Sequence, residues 1–213
     1  MRLTLIGPPG SGKGTQADRI ASHLRVPPIH VGALLRRQAS DTTPVGRTIQ
    51  RLLGRGDLVP DRLVIRMVLE RIDQPDCAAG FVLDGFPRRI GQAEALDRHL
   101  DTRGTALDAA CHLEISDEEI RRRLAGRGRV DDDEHVIGHR LTVFRTQTRP
   151  LLAYYQDRGR LVVIDAVGPV DVVTQRILAG LTHLVGQTSA LHPSVGRRPD
   201  RVSAPRQRSP EGG

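Results

Sequence analysis

The sequence predicts an α/β fold in which a doubly wound, five-stranded parallel sheet carries helices on both faces. Short apolar, β-branched runs recur at Leu3–Ile6, Ile29–Val31, Phe81–Leu83, His112–Ile115 and Leu161–Ile164, which is how buried strands read. Segments with helical spacing separate them, as in Ala17, Ile20, Ala21 and Leu24, the i, i+3, i+4, i+7 pattern of one buried face. Parallel neighbours need long crossovers, and helices in those crossovers cover both sides of the sheet. Ligands then belong at the carboxyl ends of the strands.

The 213 residues suffice for one such unit with a sizeable core. No apolar run approaches the roughly 18 residues of a membrane span, so a spanning helix is excluded. The N-terminal apolar stretch is too short for a signal-peptide core and no small-residue cleavage site follows it, which places the protein in the cytoplasm. Cys77 and Cys111 lack CxxC spacing and read as two buried free thiols, with no disulfide framework and no structural zinc. The net charge of +7 favours phosphate-bearing partners. Only five aromatics are present, Phe81, Phe86, Phe144, Tyr154 and Tyr155, so a base-stacking surface for nucleic acid is poorly supplied.

The first strand runs into Gly7-Pro8-Pro9-Gly10-Ser11-Gly12-Lys13-Gly14-Thr15, which opens the first helix. Glycines let successive backbone N–H groups face inward as an anion nest, and the helix N-terminus adds positive charge. This is a P-loop, fit for a triphosphate, with Gly10, Ser11, Gly12, Lys13, Gly14 and Thr15 against the phosphates. Lys13 is the single lysine of the chain; every other basic residue is arginine. A compact ammonium therefore stands where a phosphate loop needs one. The strict pattern puts Ser or Thr directly after the lysine as an Mg²⁺ ligand, whereas here Gly14 precedes Thr15.

Asp84 ends the third strand, where it can hold Mg²⁺ through water or cap its loop. After the fourth strand, Glu118/Arg122 and Glu119/Arg123 can pair at i, i+4 on an exposed helix. His135 and His139 share that spacing but lack an HExxH glutamate, and read as solvated histidines. From about Gly186 the pattern stops, and 186–213 reads as a disordered basic tail carrying Arg197, Arg198, Arg201, Arg206 and Arg208.

The Gly-Lys-Gly-Thr-Gln run ending at Gln16 is where the chain begins to resemble the adenylate kinase family. Leu34-Leu35-Arg36 and Gly56-Asp57-Leu58-Val59-Pro60-Asp61 resemble the two ends of its monophosphate-binding segment. Gly80 to Arg88 is similar to its central strand and acceptor loop, with Gln92 at the family's spacing. Arg123 to Asp132 resembles its short lid, and Arg140 with Pro150 to Tyr155 completes the pattern. The resemblance covers about Arg2 to Leu184. It implies a P-loop kinase domain at 1–185, with a monophosphate-binding helical segment at 30–59 and a short lid at 126–136. It also implies a monomer that transfers a phosphoryl group from ATP, with Mg²⁺, to a nucleoside monophosphate, most simply AMP.

Carried over residue by residue, the resemblance assigns catalysis to Lys13, Arg88, Arg127, Arg129 and Arg140. Arg36 and Arg88 would grip the acceptor phosphate, while Arg127, Arg129 and Arg140 would close on the transferring phosphates as planar forks. Arg123 would stack on the donor base, with Gly168 nearby on the ATP side. Val31, Asp57, Leu58, Val59, Gly85, Phe86 and Pro87 would line the acceptor site. Gln92 offers the donor and acceptor needed to read an adenine edge, although an exposed helix glutamine is common. Asp131 and Asp132 would orient the lid arginines, or simply favour a helix dipole.

The chain departs from the family at His30-Val31-Gly32-Ala33, where Ser-Thr-Gly-Asp or Ser-Thr-Gly-Glu is usual. Val31 cannot offer a hydroxyl to the acceptor base, a loss of about 1 kcal/mol for one buried hydrogen bond. A weakened or altered acceptor preference is expected, with CMP, UMP or a deoxy form as alternatives, or a nucleotide-binding paralogue with weak acceptor chemistry. His30 could supply a new, pH-dependent contact to the acceptor.

Overall fold

The sheet is built around β1 (Arg2–Ile6), in the order β2 (Pro28–His30), β3 (Phe81–Asp84), β1, β4 (Ala109–Glu114), β5 (Leu161–Asp165). The structure is a computed structural model that describes residues 1–125 and 134–191, without the side chains of 134 and 185–191. Among the described residues every strand pair is parallel, as expected.

The crossovers are helical. α1 (Lys13–Leu24) follows β1, and α2 (Val31–Ala39), α3 (Pro44–Arg55) and α4 (Asp61–Ile72) lie between β2 and β3. α5 (Ile90–Asp101) joins β3 to β4; α6 (Asp117–Ala125), α7 (Glu134–Val143) and α8 (Pro150–Gln156) lead to β5, and α9 (Val170–Leu191) follows it.

Strand side chains alternate between two cores. Phe81 and Leu83 of β3 pack with Val68 of α4, Leu96 of α5 and Tyr155 of α8. Val82, between them, faces the opposite core with Ala17 and Ile20 of α1 and Ile177 and Leu181 of α9. Each large side chain fully buried in this way contributes roughly 1.5–3 kcal/mol, which fixes the strand ends that carry the site. Register then brings those ends together: Leu5 opposes Asp84, and His30 opposes Asp84 from the other side.

Several element boundaries differ from expectation by a residue or more, three of them with a clear physical reason. Val31 is the first residue of α2 and not the end of β2, because Val31 and Leu35 form a buried i, i+4 pair once the ladder closes at His30. β4 begins earlier, at Ala109, since a strand covered on both faces accepts the small, wholly buried Ala109 and Ala110. Helix α9 runs to Leu191, so the boundary expected at 186 falls inside it. An isolated glycine such as Gly186 costs only about 1 kcal/mol within a helix, and Gln187, Ala190 and Leu191 suit one. Residues 192–213 of the expected tail lie outside the described residues.

The segment between β2 and β3 is punctuated locally. Thr43 caps α3 by accepting from the Gly46 N–H at 3.0 Å, with Pro44 at the first turn. Gly56 ends the helix at φ 76°, a left-handed turn that glycine adopts without strain. That turn delivers Asp57, Leu58 and Val59 to the site.

Candidate active site

The phosphate loop spans the carboxyl end of β1 and the start of α1. Gly12 takes φ 90° at the N-cap, so the first amides of α1 turn inward without a competing side chain. The Lys13 ammonium lies within the loop and donates to the carbonyls of Gly7 and Pro8 at 2.8 and 2.7 Å. Ser11 is buried under the loop, with Oγ 3.3 Å from Lys13 Nζ.

Two cavities meet beside this loop. One, of about 600 Å³, is lined by the loop from Pro9 to Thr15 without Ser11, by Asp18, His30 and Asp84, and by Arg123. The other, of about 300 Å³, lies over α2 and α3 and is lined by Val31, Leu35, Leu53, Asp57, Leu58, Val59, Val64 and Gln92. Arg36, Gly85, Arg88 and Arg140 line both. Three guanidinium groups from α2, the β3–α5 loop and α7 therefore stand at the junction.

Arg88 is held there by its Nε, which donates to the Gly85 carbonyl at 3.0 Å. Burial, and then the neighbouring Arg140 guanidinium, press its pKa below the usual value, with Asp84 opposing. Two like charges brought together by the fold lower their energy when an anion lies between them. The junction is thus a site for phosphate groups.

Asp84 sits at the floor of the larger cavity, opposite the start of α1: a Cβ at Gly14 would stand 3.4 Å from Asp84 Oδ2. Burial opposes its ionisation, but the hydrogen bond from His30 and the charges of Lys13 and Arg88 outweigh it and hold the carboxyl below its ordinary range. An ionised carboxylate facing a phosphate loop, with the exposed Thr15 in the same cavity, suits Mg²⁺ carried in on phosphates and bound through water. Among the described residues no group of three or more His, Cys, Asp or Glu could hold a metal ion.

Other expected residues fall in different places. Val31, Asp57, Leu58, Val59 and Gln92 reach the smaller cavity together. Gln92 is not an exposed helix glutamine; it is 2% exposed, its Oε1 accepts from the Arg88 N–H at 2.8 Å, and its Nε2 donates to Asp61 at 2.7 Å. Phe86 is wholly buried in the core and contributes a carbonyl that accepts from Thr4 at 2.6 Å, while Pro87 lines a small space beneath the junction. Arg123 faces the loop, but it is also held by Glu119 at 2.7 Å and by the Ala166 carbonyl at 2.9 Å. Gly168, on the exposed β5–α9 turn, lines neither of the two cavities. Arg127, Arg129, Asp131 and Asp132 lie outside the described residues.

His30 corrects the sequence reading. The His30 ring does not line the acceptor-side cavity; its Nδ1 is 3.1 Å from Asp84 and its Nε2 2.8 Å from Asp18. The bond to Asp84, against the cost of burial, and the bond to Asp18 raise the imidazole to about 9. His139 pairs with Asp57 at 2.7 Å, joining α7 to the turn after α3. Sequence reasoning missed Asp18 altogether, and gave Leu35 and Asp61 no role although both stand in the motifs of the acceptor segment.

Comparison with known proteins follows the same outline. The family model described as adenylate kinase matches residues 5–160. The chain is 48% identical over 185 residues to an adenylate kinase of Thermobifida fusca (strain YX), covering 85% of this chain and 98% of that one. It is 49% identical over 181 residues to one from Mycolicibacterium smegmatis, covering 85% and 99%. A third, from Acidothermus cellulolyticus, is 44% identical over 214 residues, covering 86% and 99%.

Proposed function

The chain belongs to the adenylate kinase family and catalyses reversible phosphoryl transfer from ATP to AMP, and we propose that its two cavities hold these substrates with the transfer occurring at the arginine junction between them. The observation that carries this assignment is the convergence of Arg36, Arg88 and Arg140 on both cavities beside Lys13. The larger cavity, built on the phosphate loop, takes ATP. The smaller, with apolar walls from Val31, Leu35, Val59 and Val64, takes the adenine of AMP.

Each side chain then has a physical task. The amides at the start of α1 bind the donor phosphates, and Lys13 turns its ammonium from the loop carbonyls to the β- and γ-oxygens. Arg36 and Arg88 hold the AMP phosphate in line, while Arg140 neutralises charge on the group in transit. Bound with ATP and steadied by Asp84 through water, Mg²⁺ would supply further charge neutralisation at the phosphates. Gln92, fixed by Asp61, keeps its second amide hydrogen and second lone pair for the adenine edge.

In this reading the kinase domain runs on through α9 past the expected boundary, with 30–59 the acceptor segment and 126–136 the short lid, from which Arg127 and Arg129 close on the transferring phosphates. Arg123 flanks the donor base, while Gly168 stands outside the lining of the donor cavity. No helix among the described residues is long and apolar enough to cross a membrane, in keeping with a cytoplasmic location.

A panel of AMP, CMP, UMP, GMP and deoxy acceptors with ATP and Mg²⁺, read as diphosphate formed, tests the assignment. AMP should give the highest kcat/KM, and Lys13→Ala should cut turnover by about 10²–10³ with every acceptor. ADP formation independent of any acceptor would overturn it.

A further inference from the structure

His30 stands where the sheet hands over to the acceptor segment: it is the last residue of β2 and the N-cap of α2. An N-cap side chain ordinarily bonds the free amides of its own helix, but His30 makes no such bond. Its ring bridges two other elements, Asp84 at the end of β3 at 3.1 Å and Asp18 on α1 at 2.8 Å. The next residues, Val31 and Gly32, with Leu35 and Arg36 one turn on, line the acceptor cavity.

We propose that His30 is a positioning residue, a two-point anchor that pins the first turn of α2 to the phosphate-loop helix and strand β3 and so holds the acceptor cavity in its AMP-binding shape. The inference rests on the assignment of the smaller cavity to AMP. Either protonation state ties at least two of the three elements, the charged ring by donating from both nitrogens and the neutral ring by donating from one. Without the anchor, the first turn of α2 samples other placements. Apparent affinity then falls in proportion to the competent fraction. His30 also borders the ATP cavity, but ATP is held mainly by the loop amides on another element and should lose less.

Calorimetry of AMP and of ATP, each without added metal, tests this on the full chain. His30→Ala should weaken AMP about fivefold, the scale of one or two lost hydrogen bonds, and leave ATP within about twofold. Asp18→Ala, on the exposed side, should weaken AMP about two- to threefold, and the double variant should be no weaker than His30→Ala. His30→Gln, which keeps one donor, should fall between. A purely architectural role would weaken both nucleotides together. That result, or AMP affinity unchanged in His30→Ala while Arg36→Ala loses it, would overturn the anchor alone. AMP binding absent from the unaltered protein, or indifferent to Arg36→Ala, would overturn the cavity assignment and the anchor with it.

Discussion

Gly56 lies directly against Arg140: a Cβ added at Gly56 would come within 2.7 Å of Arg140 Cγ and 3.3 Å of Val136 Cγ1. The glycine also takes φ 76°. Gly56→Ala should therefore act twice. The left-handed backbone costs roughly 1–2 kcal/mol of stability, and the displaced Arg140 should lower kcat. Urea unfolding and steady-state turnover measure the two effects, and wild-type kcat in this variant would detach Arg140 from the reaction.

Lys13 donates to the Gly7 and Pro8 carbonyls, contacts that can be exchanged for phosphate oxygens without moving the backbone. Lys13→Ala should cut kcat by about 10²–10³, the range for loss of one preorganised charge-stabilising donor. The melting temperature of the free protein should move little. A kcat within tenfold of wild type would show that the loop amides and arginines suffice.

The pH dependence of stability follows from His30, whose imidazole is raised from 6.5 to about 9. A group with a raised folded-state pKa stabilises fully below its unfolded value and loses that stabilisation as pH rises through the folded one. In metal-free buffer, the gap in melting temperature between wild type and His30→Ala should be largest below about pH 6.5 and should close by about pH 10. A gap constant across that window would contradict a charged ring.

Burial pushes the Cys111 thiol up to about 12, and Cys77 is raised by burial against the pull of Arg71. Neither is exposed, so thiolate is scarce and access is closed. An aromatic disulfide reagent should label both thiols only as fast as the protein opens, and quickly in urea. Rapid labelling of the native chain would contradict this packing.

The strands and the phosphate loop were legible because their signals are local. β-Branched runs, helical spacing after Lys13 and the glycine pattern each occupy a few consecutive residues. The arginines at 36, 88 and 140 were legible by family pattern, since nothing near Arg88 in sequence says that Arg140 will face it. The contacts that sequence could not show are those set by register: His30 meets Asp84 because β2 pairs β3, and meets Asp18 because α1 crosses that edge. Gln92 reads as a surface residue until Asp61 is brought beside it. Val31 looked like strand because β-branching is a weaker guide than the ladder that ends one residue earlier.

Arg88 gives the sharpest test of the junction. Its Nε is committed to the Gly85 carbonyl, which aims the remaining N–H groups toward the space shared with Arg140 and Arg36. A lysine there would keep the charge but lose both that bond and the planar fork that grips a phosphate at two points. If geometry matters more than charge, Arg88→Lys and Arg88→Ala should both lower kcat/KM for AMP by about 10²–10³ and lie within about tenfold of each other. If charge dominates, lysine should recover most of the loss. The burial of Arg88 beside a second guanidinium argues for the first outcome. Steady-state kinetics of the two variants at low and high salt decide the matter, since a point charge would show the stronger salt dependence.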